Sequence, residues 1–131
     1  MRSVLTITGL IEGATGLALA IVPSLVVSIL LGTSLTDPGA ILTGRLAGVA
    51  LFAIAIACWL SRNETRSSVM VKVMLVYNSC SIILLVYAAL IENIGGRGLW
   101  PAVLLHVGLL IWCVASLRKY LQNIPNRTRV L

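Results

Sequence analysis

Four long apolar stretches separated by short polar ones set the pattern of this chain, and their lengths fix the first reading. They cover about residues 3–22, 40–60, 69–91 and 99–117, each close to the roughly 20 residues an α-helix needs to cross a hydrocarbon layer about 30 Å thick. The first run continues apolar to Leu31 but carries Pro23. A proline lacks the backbone N–H and disfavours helical geometry in the residue before it, so the pattern predicts a break. A short helix over 24–31 follows, lying along the membrane surface or tilting into it, with Gly32 as its stop.

The connections carry turn chemistry. Residues 33–39 read Thr-Ser-Leu-Thr-Asp-Pro-Gly, 61–68 form a polar basic loop, and 92–98 are glycine-rich. Trp100 and Pro101 open the fourth run as interface anchor and first-turn proline, and Trp59 with Arg62 closes the second. Residues 118–131 form a basic tail broken by Pro125. The expected fold is all-α, a single transmembrane domain built as an integral membrane four-helix bundle with a short extra helix after Pro23.

Composition agrees. The 131 residues are 59% hydrophobic and 11% charged, with a mean hydropathy of +1.03, against roughly half apolar and a quarter charged in soluble domains. The net charge of +6 does not point to nucleic acid, because the basic residues mostly sit at the ends of apolar runs, where membrane topology accounts for them. Arg2, Arg62, Arg66, Lys72, Arg118, Lys119, Arg127 and Arg129 fall on one side of the expected membrane and only Arg97 on the other. The positive-inside rule then places both termini in the cytoplasm, N-in and C-in, in a multi-pass protein of the cytoplasmic (inner) membrane. The first twenty residues imitate a secretory signal ending Ala18-Leu19-Ala20, but Glu12 interrupts the apolar core. They are expected to be a retained first span.

Each span carries one strongly polar residue: Glu12, Arg45, Asn78 and His106. Polar side chains inside a membrane are costly unless they face protein or water, so the four are expected to converge on the bundle interior as a ligand site or buried polar network. With a rise of about 1.5 Å per residue, Glu12 lies about 13 Å from the cytoplasmic boundary and Arg45 about 21 Å. The gap of about 8 Å lies within reach of a bent arginine, and an ion pair is expected. Thr8, Thr15 and Ser81 share helical faces with the polar residues and would complete their hydrogen bonds. Gly9 and Gly13 form one G-x-x-x-G, extended by Gly16, and Gly44 and Gly48 form another. Small residues let membrane helices approach closely, so spans one and two should pack through these rows. Glycine rows left exposed would favour a homodimer or a larger membrane complex.

Chemistry of other kinds has little support. Cys58, Cys80 and Cys113 are scattered singly through apolar runs and read as small hydrophobes. One histidine and three separated cysteines make no metal or haem set, so no metal and no cofactor are expected. No nucleophile–base pair, metal set or phosphate loop is recognisable, so no catalytic residue is assigned. Tyr77, Tyr87 and Trp112 read as packing and anchoring residues.

Two resemblances follow from these residues. The spaced glycines of the first span, Pro23 with Leu30-Leu31-Gly32, and Arg45-Leu46-Ala47-Gly48 opening the second span resemble small four-helix bacterial inner-membrane proteins of the DoxX-like group. That likeness covers about the first half of the chain, implies a compact four-helix bundle and carries over no catalytic residue. Glu12 within Gly9-Leu10-Ile11-Glu12-Gly13 resembles the intramembrane glutamate in the first span of small multidrug-resistance transporters. There the carboxylate exchanges protons for cationic drugs in a dimer. Here Arg45 would neutralise the carboxylate, and the charge asymmetry departs from dual topology. The functional expectation is an accessory or amphiphile-binding membrane protein, Arg45 holding an anionic or carbonyl-bearing lipid or quinone. The alternative is a proton-coupled transporter using Glu12.

Overall fold

The computed structural model describes residues 1–64 and 67–123. Five helices follow in order: α1 (Arg2–Ile21), α2 (Pro23–Leu31), α3 (Pro38–Ser61), α4 (Ser67–Leu90) and α5 (Leu99–Gln122). Four of them, all but α2, are long and apolar enough to cross a membrane. The helix boundaries follow local chemistry. Pro23 is the first residue of α2, where its missing N–H has no intrahelical partner in any case. Asp37 caps α3, its carboxylate oxygen accepting from the Ala40 amide at 2.9 Å, with Pro38 in the first turn. Gly32 ends α2 in the left-handed region at φ 75° and donates its N–H to the Ser28 carbonyl.

The fourth long helix differs from the sequence reading at its end. The apolar run stops at Leu117, yet α5 continues through Gln122, carrying Arg118 and Lys119 on its last turns. Cations near a helix C-terminus complement the partial negative charge of its free carbonyls, which favours continuation. The rest of the expected tail, 124–131, lies outside the described residues.

The long helices associate as two antiparallel pairs, α1 with α3 and α4 with α5, meeting along a seam. Glycine sets the first pairing. A Cβ on Gly16 would stand 2.7 Å from the Gly48 carbonyl oxygen, and one on Gly48 would collide with the Ala20 backbone. Further along, Gly9 faces Ala55 and Cys58, while Gly44 faces Pro23. Backbones this close gain dispersion contacts that a lipid chain cannot supply to the same groove.

At the N-terminal end of α1 the seam is apolar. Val4, Leu5, Cys58, Val71, Met74 and Cys113, drawn from all four long helices, form one buried cluster. At the opposite end α2 bridges the pairs. Its last carbonyls lack helical partners, and the α4–α5 loop supplies them: Gly96 N–H donates to Leu30 O and Gly98 N–H to Ile29 O, both at 2.9 Å. A Cβ on Gly96 would collide with the Ile29 carbonyl. The glycines at 96 and 98 are thus needed for close backbone approach rather than for looseness.

Outward faces are strongly apolar. Leu10, Leu17, Val49, Phe52, Ile56, Val76, Ile83, Leu84, Leu104 and Ile111 are among the large side chains left exposed, with Leu104 at 70%. A surface this apolar over every long helix suits hydrocarbon rather than water as its surroundings.

Candidate functional site

The four polar residues of the spans separate into a group on the seam, Glu12 and Asn78 buried and His106 half-buried, and one exposed arginine. On the seam, Glu12 from α1 is 3% exposed. Its Oε2 accepts a hydrogen bond of 3.0 Å from the Tyr77 hydroxyl on α4. The next residue of α4, Asn78, is fully buried. Its Nδ2 donates to the Met74 carbonyl at 2.7 Å, and its Oδ1 lies 2.9 Å from His106 Nδ1 on α5. The rings of Tyr77 and His106 meet edge-to-face with centroids 5.7 Å apart. Two polar pairs therefore sit side by side: Glu12–Tyr77 ties α1 to α4, and Asn78–His106 ties α4 to α5.

Thr8 lies one turn before Glu12 on the same face, fully buried, and its hydroxyl has no hydrogen-bond partner. Thr15, expected to support Glu12, is exposed instead.

Arg45 does not join this group. It is exposed, and Glu12 takes its hydrogen bond from Tyr77. The expected ion pair is replaced for a reason visible in the helix register. Gly13 faces Ala55, so Glu12 lies level with a residue ten positions beyond Arg45, about 15 Å away along the α3 axis. The 8 Å gap inferred from span boundaries assumed that both helices begin at their membrane surfaces, and antiparallel glycine packing shifts them. Orientation contributes as well. Gly44 and Gly48 present their faces to α1 and the elbow after it, and the residue after Gly44 is turned away by about 100°.

The arginine instead borders a groove of about 350 Å³ at the elbow between α1 and α2. Ile21, Val22, Pro23, Leu25 and Ile41 form its apolar wall, and Ser24 and Arg45 are its polar members. Another groove, of about 610 Å³, runs along α5 between Ile111 and Gln122 and is lined by none of the four polar residues.

Tyr77 is the residue that sequence reasoning missed, having been assigned to packing. A usable signal existed. Tyrosines that anchor a helix in the interface sit near its ends, whereas Tyr77 lies ten residues into the 24-residue α4, in the middle of an apolar helix where its hydroxyl needs a partner. Its neighbour Asn78 marks the same depth.

Among the described residues, these two polar features offer hydrogen bonding, one carboxylate, one imidazole and the exposed guanidinium of Arg45. Among the described residues no three His, Cys, Asp or Glu side chains are grouped to hold a metal ion. Cys58 and Cys113 belong to the buried apolar cluster, and Cys80 is exposed. Comparison with known proteins gives no matching family model, no matching curated protein and no matching solved structure.

Proposed function

We propose that the protein is an accessory, amphiphile-binding component of the cytoplasmic membrane, with both termini on the cytoplasmic side and Arg45 as the group that holds the amphiphile. One observation carries this reading: Arg45 is an exposed cation in an apolar span, at the edge of an apolar groove. A guanidinium at such a place is satisfied by lipid phosphate, carboxylate or carbonyl oxygen, which it binds with directed donors. The apolar wall of the groove accommodates a hydrocarbon portion. The seam pairs then serve as internal ties, each satisfying polar groups that hydrocarbon would leave unpaired.

Orientation rests on the basic residues at the N-terminus, in the α3–α4 loop and after α5, against Arg97 alone among the lysines and arginines of the opposite loops. Reporter fusions at both ends, active only in the cytoplasm, check it.

Native mass spectrometry of protein released from mild detergent tests the binding reading. The wild type should retain an amphiphile that Arg45→Leu loses while still migrating as a folded protein. Equal retention by both sinks the assignment.

A second reading is favoured by Glu12 itself. Glu12 takes its hydrogen bond from Tyr77 rather than from Arg45, which removes one objection to a proton-coupled carrier that uses it. This reading requires Glu12→Gln to abolish proton release on substrate addition.

A further inference from the structure

The elbow between α1 and α2 places more than a cation at the groove. Because Pro23 has no N–H, the Leu19 carbonyl cannot receive the helical bond its position calls for. The Val22 amide bonds Ala18, and the Leu25 amide turns to Val22. Leu19, Ala20 and Ile21 thus end α1 with carbonyls that no backbone amide of the described residues satisfies. Ser24, the nearest hydroxyl, donates elsewhere, to Leu35 O at 2.9 Å. Carbonyls at the end of a helix project along its axis, here toward the elbow, and carry the negative end of the helix dipole. Broken helices at membrane depth are tolerated where protein or a polar cavity takes up the freed groups.

The groove therefore presents two opposite charges to one ligand. Arg45 offers donors and a full positive charge, and Ile21, the residue of the α1 end that lines the groove, offers an acceptor carbonyl at the negative end of the helix dipole. A singly anionic headgroup satisfies only the first. We propose that the elbow is a headgroup site for a phospholipid bearing a primary ammonium, with its phosphate on Arg45 and its ammonium on the free Ile21 carbonyl at the end of α1. Its acyl chains lie against the apolar wall at Ile21, Leu25 and Ile41. This inference rests on the amphiphile reading of Arg45 and adds the class of headgroup.

The test loads the full-length protein in mild detergent with an equimolar mixture of phosphatidylethanolamine, its N-methyl and N,N-dimethyl forms, phosphatidylcholine and phosphatidylglycerol, and counts retained lipids by native mass spectrometry. Retention should fall stepwise as methyl groups replace ammonium donors, by about tenfold from the primary ammonium to choline, the scale of one charge-assisted hydrogen bond. Pro23→Ala lets α1 run on through the elbow, so that the Leu25 amide, now turned to Val22, can take the Ile21 carbonyl, and it should erase the preference among the amines while phosphatidylglycerol retention is kept. Soluble glycerophosphoethanolamine should not displace the lipid; displacement would overturn the assignment to a membrane lipid.

Equal retention across the methyl series, or phosphatidylglycerol above phosphatidylethanolamine, overturns the ammonium site and leaves amphiphile binding intact. Unchanged retention of every lipid by Arg45→Leu overturns the amphiphile reading itself. If Pro23→Ala fails to fold, the methyl series on the wild type decides alone.

Discussion

The Tyr77 hydroxyl donates to the Glu12 carboxylate across 3.0 Å, and this bond joins the α1/α3 pair to the α4/α5 pair midway along the long helices. Tyr77→Phe keeps the ring and removes the donor, leaving a buried carboxylate without its partner. The expected loss is about 1–2 kcal/mol, toward the upper end for membrane hydrogen bonds because the acceptor is a carboxylate. Unfolding midpoints of Tyr77→Phe, Glu12→Gln and the double variant measure it. Additive losses would mean that the two side chains are not coupled.

Removing the arginine should leave the fold almost untouched. Arg45 is exposed and separated from Glu12 by the helix register, so Arg45→Leu should shift stability by no more than about 0.5 kcal/mol. Breaking a buried ion pair by losing one partner would instead cost about 3–5 kcal/mol. The same unfolding assay separates the two cases.

Glycine substitutions should divide sharply by position. Gly16→Ala places a methyl group 2.7 Å from the Gly48 carbonyl oxygen and from the Phe52 amide nitrogen, which forces α1 and α3 apart. A loss of about 1–3 kcal/mol is expected from the overpacking. At Gly108 a Cβ meets nothing within 4 Å, and Ala should be neutral or stabilising by up to about 1 kcal/mol. Equal effects at the two sites would contradict the packing described.

Gly96→Ala tests the clamp on α2. Its Cβ would collide with the Ile29 carbonyl, displacing the loop whose amides satisfy Ile29 and Leu30. Hydrogen exchange at the amides of residues 96 and 98 should accelerate by at least about tenfold, and exchange in α1 should change little. Uniform acceleration along the chain would place the defect elsewhere.

The histidine tautomer is a further expected outcome. Asn78 commits its amide nitrogen to the Met74 carbonyl, so its oxygen faces His106 and the Nδ1 atom must carry the proton. Nitrogen chemical shifts of the labelled imidazole distinguish this from the Nε2–H form, and Asn78→Leu should release the preference.

Much of this architecture was written in one dimension. Four apolar runs of spanning length, Pro23 at the break, the turn chemistry of 33–39 and the glycine rows are local signals, because helix formation, capping and termination depend on neighbours within a turn. The identity of Glu12, Asn78 and His106 as polar intrusions was equally legible, since any such residue in an apolar span needs a partner. Which partner it finds is not local. Register between antiparallel helices is set by where glycine backbones fit together, and a displacement of about five residues moves a side chain by about 7 Å. That register put Tyr77 rather than Arg45 beside Glu12, turned Arg45 to the elbow, and brought the amides of Gly96 and Gly98 to the carbonyls of α2. Composition and periodicity determined that the chain forms apolar helices of membrane length. Interhelical packing decided which polar groups meet, because a hydrogen bond depends on ångström-scale placement that residue spacing along one helix does not specify.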